Sequence, residues 1–340
     1  MISVGIAGYG YWGPNLARAV AESGLAKVEM IADMAPAALE RAARRHPAAR
    51  MTADIGEMIR DPKVDAIMIA TPVHTHFPLA REALFAGKHV LVEKPMTDDV
   101  GQARFLVEEA ARRGRVLMVD HTFVYTPAVR AISSMIAAGE LGEVFYYDST
   151  RVNLGLFQRD VNVIWDLAVH DFAIVDHLLD QRPVAISASA ARFVPGSPEN
   201  MAQLTVHYDG GAMAHLNVNW LAPVKIRQTL IGGSQKMVVW DDMQTSEKVK
   251  VYDRGASLSE AGPYEHMVSY RLGDMHAPAL STKEALLTEV EEFVRCVETG
   301  AAPLTDGHGG LRVVEMLAAA SRSCALRGHP VDLTTLKVAS

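Results

Sequence analysis

The sequence predicts an α/β chain in two parts: an N-terminal doubly wound parallel sheet, then an α+β part built on an open, mainly antiparallel sheet. Three observations predict it. Strand and helix signals alternate over the first third of the 340 residues, the pattern of a parallel sheet covered on both faces. A glycine triplet, Gly8-x-Gly10-x-x-Gly13, stands between the first apolar run and the first amphipathic segment. From Val184 to Tyr252 the pattern changes to successive strand runs, with paired glycines between some of them.

Ile2–Ala7 is a short apolar run and reads as a buried strand. The glycines follow at once, then a helix over Pro14–Ser23, whose first turn tolerates the missing N–H of Pro14. Gly8 permits a tight turn, Gly10 lets the backbone approach a pyrophosphate, and Gly13 lets helix pack on strand. The free N–H groups of the helix start would face the phosphates. A second strand, Val28–Ala32, ends in Asp33, 20 residues after Gly13, where an acid grips the ribose hydroxyls of a dinucleotide. Strand, glycines and acid together make the Rossmann fingerprint. An acid at that point repels a 2′-phosphate, so the expected cofactor is NAD. Asp33 could instead cap the helix expected from Ala35 to Arg45.

Asp54–Arg60 reads as a short helix and Val64–Ala70 as a fully buried parallel strand. Thr75–Ala86 reads as a helix stopped by Gly87, and His89–Val92 as another buried strand. Asp98 or Asp99 caps a helix that runs to Arg113, Gly114 closes it, and Val116–Val119 is a further strand. Glu93-Lys94-Pro95 therefore puts a lysine at the carboxyl end of a strand, where sheets of this kind hold their ligands. Lys94 could also be a surface lysine, although Pro95 beside it argues for a fixed turn.

The pattern changes near His121, which places a domain boundary at residue 122 and divides the chain into 1–122 and 123–340. In the second part Thr126–Ala138 reads as a helix ended by Gly139, Val144–Asn153 as a strand, and Trp165–Leu179 as a helix. Strands follow over Gln203–Tyr208, Gly211–Asn219, Lys225–Ile231 and Lys236–Trp240, with hairpin signals at Gly210-Gly211 and Gly232-Gly233. Helices over Lys283–Thr299 and Gly309–Leu326 close the chain. Ala212, Ala214, Leu216 and Val218 alternate with Met213, His215, Asn217 and Asn219, one face apolar and the other mixed. An open sheet face of this kind suggests a homo-oligomer.

Composition bounds the function. Hydrophobic residues make up 49% and charged residues 21%, the balance of a globular chain. The formal net charge is −7 without a basic block, which argues against a nucleic-acid partner. Cys296 and Cys324 lie in apolar helical patterns and read as buried thiols rather than a disulfide or metal ligands, as a reducing cytosol implies. The chain opens in a strand with no signal-peptide pattern, and no apolar run approaches the roughly 18 residues a span needs. A cytoplasmic protein without membrane contact is expected.

Asp166 and His170 are four apart at the start of a helix, so both side chains share one face. A carboxylate beside an imidazole tunes a group that moves a proton near neutral pH, as alcohol oxidation requires. Asp166 could equally be an ordinary N-terminal helix charge. Metal ligation is the other alternative, but no third ligand of clear spacing appears, so no metal is expected.

Four motifs together resemble the Gfo/Idh/MocA oxidoreductases: Gly8-Tyr9-Gly10-Tyr11-Trp12-Gly13, Ala70-Thr71-Pro72-x-His74-x-His76, Glu93-Lys94-Pro95 and Asp166-x-x-x-His170. The resemblance extends to Thr305-Asp306-Gly307 before the last helix. It implies that Lys94 hydrogen-bonds the reacting oxygen, His170 is general acid/base, and Asp166 orients substrate or lysine. It also implies a C-terminal sheet that mediates dimer or tetramer contacts. Cofactor contacts are expected from Gly8, Gly10, Tyr11, Trp12, Gly13, Asp33, Thr71, Pro72, His74, Glu93 and Lys94. His74 and His76 could be ordinary loop histidines, and Trp12 a helix-start hydrophobe.

Substrate contacts are expected from Lys94, His121, Tyr125, Arg151, Asn153, Trp165, Asp166 and His170. The stretch from Arg151-Val152-Asn153 through Gly155-Leu156-Phe157 to Asn162-Val163-Ile164-Trp165 resembles the subgroup near nucleotide-sugar 3-dehydrogenases. The resemblance implies oxidation of a ring hydroxyl at position 3 of a UDP-N-acetyl-hexosamine or its uronate. An inositol or free-aldose dehydrogenase uses the same catalytic set, and a non-catalytic NAD or sugar sensor could use the same fold.

Overall fold

The computed structural model describes residues 1–155, 161–260 and 266–333, without the side chains of 257–260 and 266–268. The chain forms two compact units: Met1–Thr126 with Lys283–Val314, and Pro127–Thr282 with the chain from Glu315.

The first unit is built on a six-stranded sheet: β1 (Ile2–Ala7), β2 (Ala26–Ala32), β3 (Arg50–Thr52), β4 (Ala66–Ile69), β5 (His89–Glu93) and β6 (Leu117–Asp120). The order is β3-β2-β1-β4-β5-β6 and every pairing is parallel. Chain order reverses between β1 and β4, the switch point outside which such sheets bind ligands. All four residues of β4 are buried, as a strand covered on both faces requires. Five helices alternate with these strands: α1 (Gly13–Ser23), α2 (Pro36–Arg45), α3 (Ile55–Arg60), α4 (His76–Phe85) and α5 (Val100–Arg113). Their ends follow local chemistry. Asp54 caps α3 through Gly56 N at 2.8 Å, Asp99 rather than Asp98 caps α5 through Gln102 N at 2.9 Å, and Gly114 closes α5 in the left-handed conformation. The N-cap of α2 is Ala35, so Asp33 does not take that position.

A division at residue 122 describes only part of the first unit. Helix α8 (Ala285–Thr299) and the segment after it belong there too. Arg18 of α1 binds Glu284, ahead of α8, at 2.7 Å, and Val119 N donates to Thr305 O at 2.9 Å beside β6. These are pairings across more than 180 residues, which local pattern cannot reveal.

The second unit carries a nine-stranded sheet, ordered β14-β13-β12-β11-β7-β10-β9-β8-β15. The strands are β7 (Val144–Leu154), β8 (Pro183–Ala191), β9 (Met201–Tyr208), β10 (Met213–Asn219), β11 (Leu221–Gly233), β12 (Met237–Asp241), β13 (Val249–Glu260), β14 (His266–His276) and β15 (Val331–Asp332). Every pairing is antiparallel except that of β7 with β10. Helices α6 (Pro127–Ala137) and α7 (Val169–Leu178) precede β8, and α9 (Gly307–Ala325) ends the helical part of the chain.

The Gly210-Gly211 hairpin forms as expected, with Gly211 at φ +89 between β9 and β10. Gly232-Gly233 does not make the next turn. Both residues belong to β11, and the turn lies beyond them, closed by Gly233 N to Lys236 O at 3.0 Å. Glycine is required at 233 by crowding, since a Cβ there would lie 2.2 Å from Leu141 O.

Candidate active site

The glycine loop joins β1 to α1 in a form only glycine allows at two of its three positions. Gly8 has φ +92, and a Cβ there would lie 2.7 Å from Ala70 O. A Cβ on Gly13 would lie 2.0 Å from Gly8 O, so the turn closes only without one. At Gly10 nothing lies within 4 Å of that position, which leaves the backbone open to an approaching ligand. Asp33 faces the same loop. Its Oδ2 accepts from Tyr9 N at 2.6 Å and its Oδ1 from Ala35 N at 2.8 Å. A carboxylate has about four acceptor positions, so two remain for ribose hydroxyls. Glycines, helix start and acid thus fit an NAD dinucleotide. An Asp33→Ser variant is expected to shift the NAD to NADP ratio of kcat/KM about 10-fold toward NADP, since one repelling charge is gone. An unchanged ratio would contradict this.

Tyr11 is 88% exposed, whereas Trp12 is half-buried and donates from Nε1 to Asp120 Oδ2 at 2.6 Å. Trp12 therefore does more than fill a helix start. The other Asp120 oxygen accepts from the Thr122 hydroxyl. After β4, Thr71 Oγ1 and Thr75 Oγ1 lie 2.6 Å apart, and the exposed Pro72 accepts from Thr75 Oγ1 at 2.6 Å. His74 is exposed.

His76 is not a loop histidine. It opens α4, is buried, and sets Nε2 2.8 Å from Thr71 O and Nδ1 2.9 Å from Pro95 O. One imidazole thereby ties the loop after β4 to the Glu93-Lys94-Pro95 turn after β5. Glu93 and Lys94 are half-buried there, and the Lys94–Pro95 bond is cis.

His121 follows β6 and is 3% exposed, with no hydrogen-bond partner at either ring nitrogen among the described residues. Burial first, and then the Lys94 ammonium, push its pKa down to about 3. The folded state therefore keeps this ring neutral while the unfolded chain protonates it below about pH 6.5. Stability is lost as pH falls through that value, on the order of 2 kcal/mol from this group by pH 5. A His121→Gln variant is expected to lose that much less between pH 7 and pH 5 in urea titrations. Equal losses would show that His121 charges in the folded state.

Tyr125, expected at the substrate, is packed inside the fold. It is 1% exposed, and its hydroxyl lies 3.3 Å from Thr305 Oγ1 and 3.4 Å from Glu292 Oε1 inside the first unit. Burial raises its pKa, with Glu289 and Glu292 adding to the effect.

In the second unit the helix bearing Asp166 and His170 opens as a single π turn over Ile164–Ala168 before α7. Such turns recur at functional sites, because they re-aim side chains that a regular helix would space evenly. Asn162 starts the turn, its Oδ1 accepting from Ile164 N and Trp165 N at 3.1 and 3.2 Å. Asp166 Oδ2 accepts from Trp220 Nε1 at 3.1 Å, and His170 is half-buried one turn on. Trp165 gives its Nε1 to Ser321 Oγ at 2.9 Å, so its polar edge is committed within the fold. Asn153 is half-buried near the end of β7. The Leu156-Phe157 part of the sequence motif lies outside the described residues.

Arg151, expected at the substrate, has its charge paired within the fold. It is 5% exposed, and its Nε and Nη2 donate to Asp171 at 2.8 and 3.3 Å. Asp171 is fully buried and also accepts from Ser149 Oγ at 2.7 Å and from Tyr147 Oη at 3.1 Å. Asp171 went unnoticed in the sequence. The available signal was Tyr147-x-Ser149-x-Arg151: period two puts three polar side chains on one strand face, and that face is buried.

A dinucleotide cradle with a lysine at a strand end defines a nicotinamide oxidoreductase. Comparison agrees. Residues 2–121 match the Gfo/Idh/MocA model described as an oxidoreductase family with an NAD-binding Rossmann fold, and residues 129–239 match that family's C-terminal domain. The chain belongs to the Gfo/Idh/MocA oxidoreductases. It is 26% identical to inositol 2-dehydrogenase of Rhizobium meliloti over 336 residues, covering 95% of this chain and 97% of that one. It is 29% identical to UDP-N-acetylglucosamine 3-dehydrogenase of Acidithiobacillus ferrooxidans over 255 residues, covering 74% and 76%. The solved structure of that dehydrogenase superposes with a TM-score of 0.77 at 25% identity, covering 95% of this chain and 96% of the other. The protein is thus an NAD-dependent dehydrogenase of the sugar and polyol type. Among the described residues no helix is long and apolar enough to cross a membrane, and no cluster of side chains could hold a metal ion.

Proposed function

We propose that the protein oxidises a secondary ring hydroxyl of a nucleotide sugar, at position 3 of a UDP-N-acetyl-hexosamine or its uronate, or reduces the matching ketone. The observation that carries the catalytic part is the π turn: it presents Asp166, held by Trp220, one turn before His170. Bound NAD supplies a hydride acceptor at nicotinamide C4. His170 takes the hydroxyl proton as the carbon is oxidised, Asp166 orients substrate, and the Lys94 ammonium donates to the oxygen on which charge grows. Neutral His121, with neither ring nitrogen bonded among the described residues, offers one donor and one acceptor to a ligand hydroxyl. The likeness to UDP-N-acetylglucosamine 3-dehydrogenase along nearly the whole chain supports the nucleotide-sugar reading. With Arg151 paired to Asp171 inside the fold, half-buried Asn153 is the polar candidate on β7 for a substrate contact.

A second reading, an inositol dehydrogenase, is favoured by the 336-residue match to inositol 2-dehydrogenase. Reduced-nicotinamide absorbance with NAD and a panel of UDP-sugars, aldoses and inositols separates the two. A signal with UDP-N-acetyl-hexosamines or their uronates alone supports the first reading. A signal with inositols alone overturns it. Silence with every compound, while NAD binds, would favour a sensor.

The outer face of the second sheet supports self-association. His215 of β10 is exposed and Met213, Asn217 and Asn219 are half-buried, while Ala214, Leu216 and Val218 are buried on the other face. We infer a homodimer or homotetramer through that face in the cytoplasm. A monomer by light scattering would refute it.

A further inference from the structure

A carboxyl group sits where the chemistry described so far has no use for one. Glu289, on α8, is fully buried, with 0% of its surface exposed. No N–H or O–H among the described residues reaches either of its oxygens with hydrogen-bonding geometry. Its polar surroundings are Asp120 from β6 and Thr122 from the turn after it, with Glu93 from β5 and Tyr125 nearby. The Thr122 hydroxyl is committed to Asp120. A buried carboxylate without donors, facing two other acids, is costly enough to hold its proton instead.

Asp120 is the complement. It is 2% exposed, and its oxygens accept from Trp12 Nε1 and Thr122 Oγ1. One of the two acids is therefore built to carry a proton and the other to accept hydrogen bonds.

We propose that Glu289 and Asp120 share one proton, and that this carboxyl–carboxylate pair is a positioning device for the Trp12 indole in the cofactor cradle. Glu289 donates its O–H to Asp120, which leaves Asp120 ionised without isolating a buried charge. The ionised oxygen grips the Trp12 N–H. Trp12 lies within the glycine loop as the N-cap of α1, and its carbonyl accepts from Asn15 N at 2.8 Å, so a hold on its indole acts on the part of the loop that opens the helix. Burial first, and then Asp120, raise the Glu289 pKa well above the ordinary carboxyl value, in agreement with the geometry. The inference concerns the cofactor side and holds whichever hydroxyl the enzyme oxidises.

The test uses the full-length protein and three variants. Glu289→Gln keeps shape, neutrality and an N–H donor. Glu289→Leu removes the donor and leaves Asp120 to take up a proton and loosen its hold on Trp12. Trp12→Phe removes the gripped N–H itself. In an infrared difference spectrum at neutral pH, wild type minus Glu289→Gln should show the C=O stretch of a protonated carboxylic acid. Carboxylate bands there would overturn the shared proton. By calorimetry, Glu289→Gln should bind NAD within about 2-fold of wild type, and Glu289→Leu about 10-fold more weakly. In the Trp12→Phe background the leucine change should add little, because the group it acts through is gone. Wild-type NAD affinity in Glu289→Leu, or full additivity with Trp12→Phe, would overturn the positioning role and leave Glu289 a packing residue. Should the leucine variant fail to fold, the infrared signal and the glutamine affinity still decide.

Discussion

A Lys94→Ala variant is expected to keep most of its NAD affinity, losing only the lysine's own cofactor contact, and to turn over about 10²- to 10³-fold more slowly, the usual effect of removing one preorganised donor from a developing oxyanion. The physical basis is the way the lysine is held. It follows β5 in a half-buried position, and the carbonyl of its neighbour Pro95 lies 2.9 Å from the buried His76 ring. The backbone beneath Lys94 is thus tied to a second loop rather than left to move with solvent. Its charge is felt locally too, since it adds to the burial that keeps His121 neutral. A fixed ammonium beside an uncharged imidazole stabilises negative charge without reorganising when that charge appears. Lys94→Arg should recover little of the loss, because a planar guanidinium sets its donors at different positions. Steady-state kinetics with the substrate found in the panel, together with NAD calorimetry, check both statements. Turnover within tenfold of wild type in Lys94→Ala would remove the lysine from the reaction.

The dinucleotide half was legible because its signals are local. A strand, three glycines and an acid lie within 33 residues, and each is demanded by close packing or by a ligand. What escaped notice was set by distant partners or by weak pattern. Strand β3, Arg50–Thr52, is three residues at a sheet edge with one exposed and one half-buried member, so no apolar run announces it. The parallel pairing of β7 with β10 joins segments more than 60 residues apart. Arg151 and Tyr125 read as ligand-binding because polar side chains beside a suspected site usually point to it. The partners they have within the fold, Asp171, Thr305 and Glu292, lie 20, 180 and 167 residues away. Glu289 was hidden for the same reason: inside an amphipathic helix a single acid looks like part of the wet face, and only α8's place in the first unit makes it part of the core.

The largest stability effect is expected at Asp171. Removing its carboxylate by Asp171→Ala leaves the Arg151 guanidinium charged, 5% exposed and without its counter-ion, and also strands the Ser149 and Tyr147 hydroxyls. Breaking one side of a buried pair costs about 3–5 kcal/mol, because the remaining charge has lost its solvent without keeping its partner. The pair is not for that reason a net source of stability. A double variant, Arg151→Met with Asp171→Leu, should recover most of the loss, since neither buried charge then remains. The recovery should not extend to turnover. Asp171 adjoins His170 on α7, and its bonds to Tyr147, Ser149 and Arg151 pin the start of that helix to β7 at four donor atoms. Apolar contact fills the same space but does not fix the rotation of the helix, and an imidazole misplaced by about 1 Å loses roughly 10²-fold in rate. Urea denaturation and steady-state kinetics on the same two proteins test the distinction. A stable, fully active double variant would mean that packing alone sets the helix. A stable, slow one would mean that the buried charges are kept because they hold His170 in register.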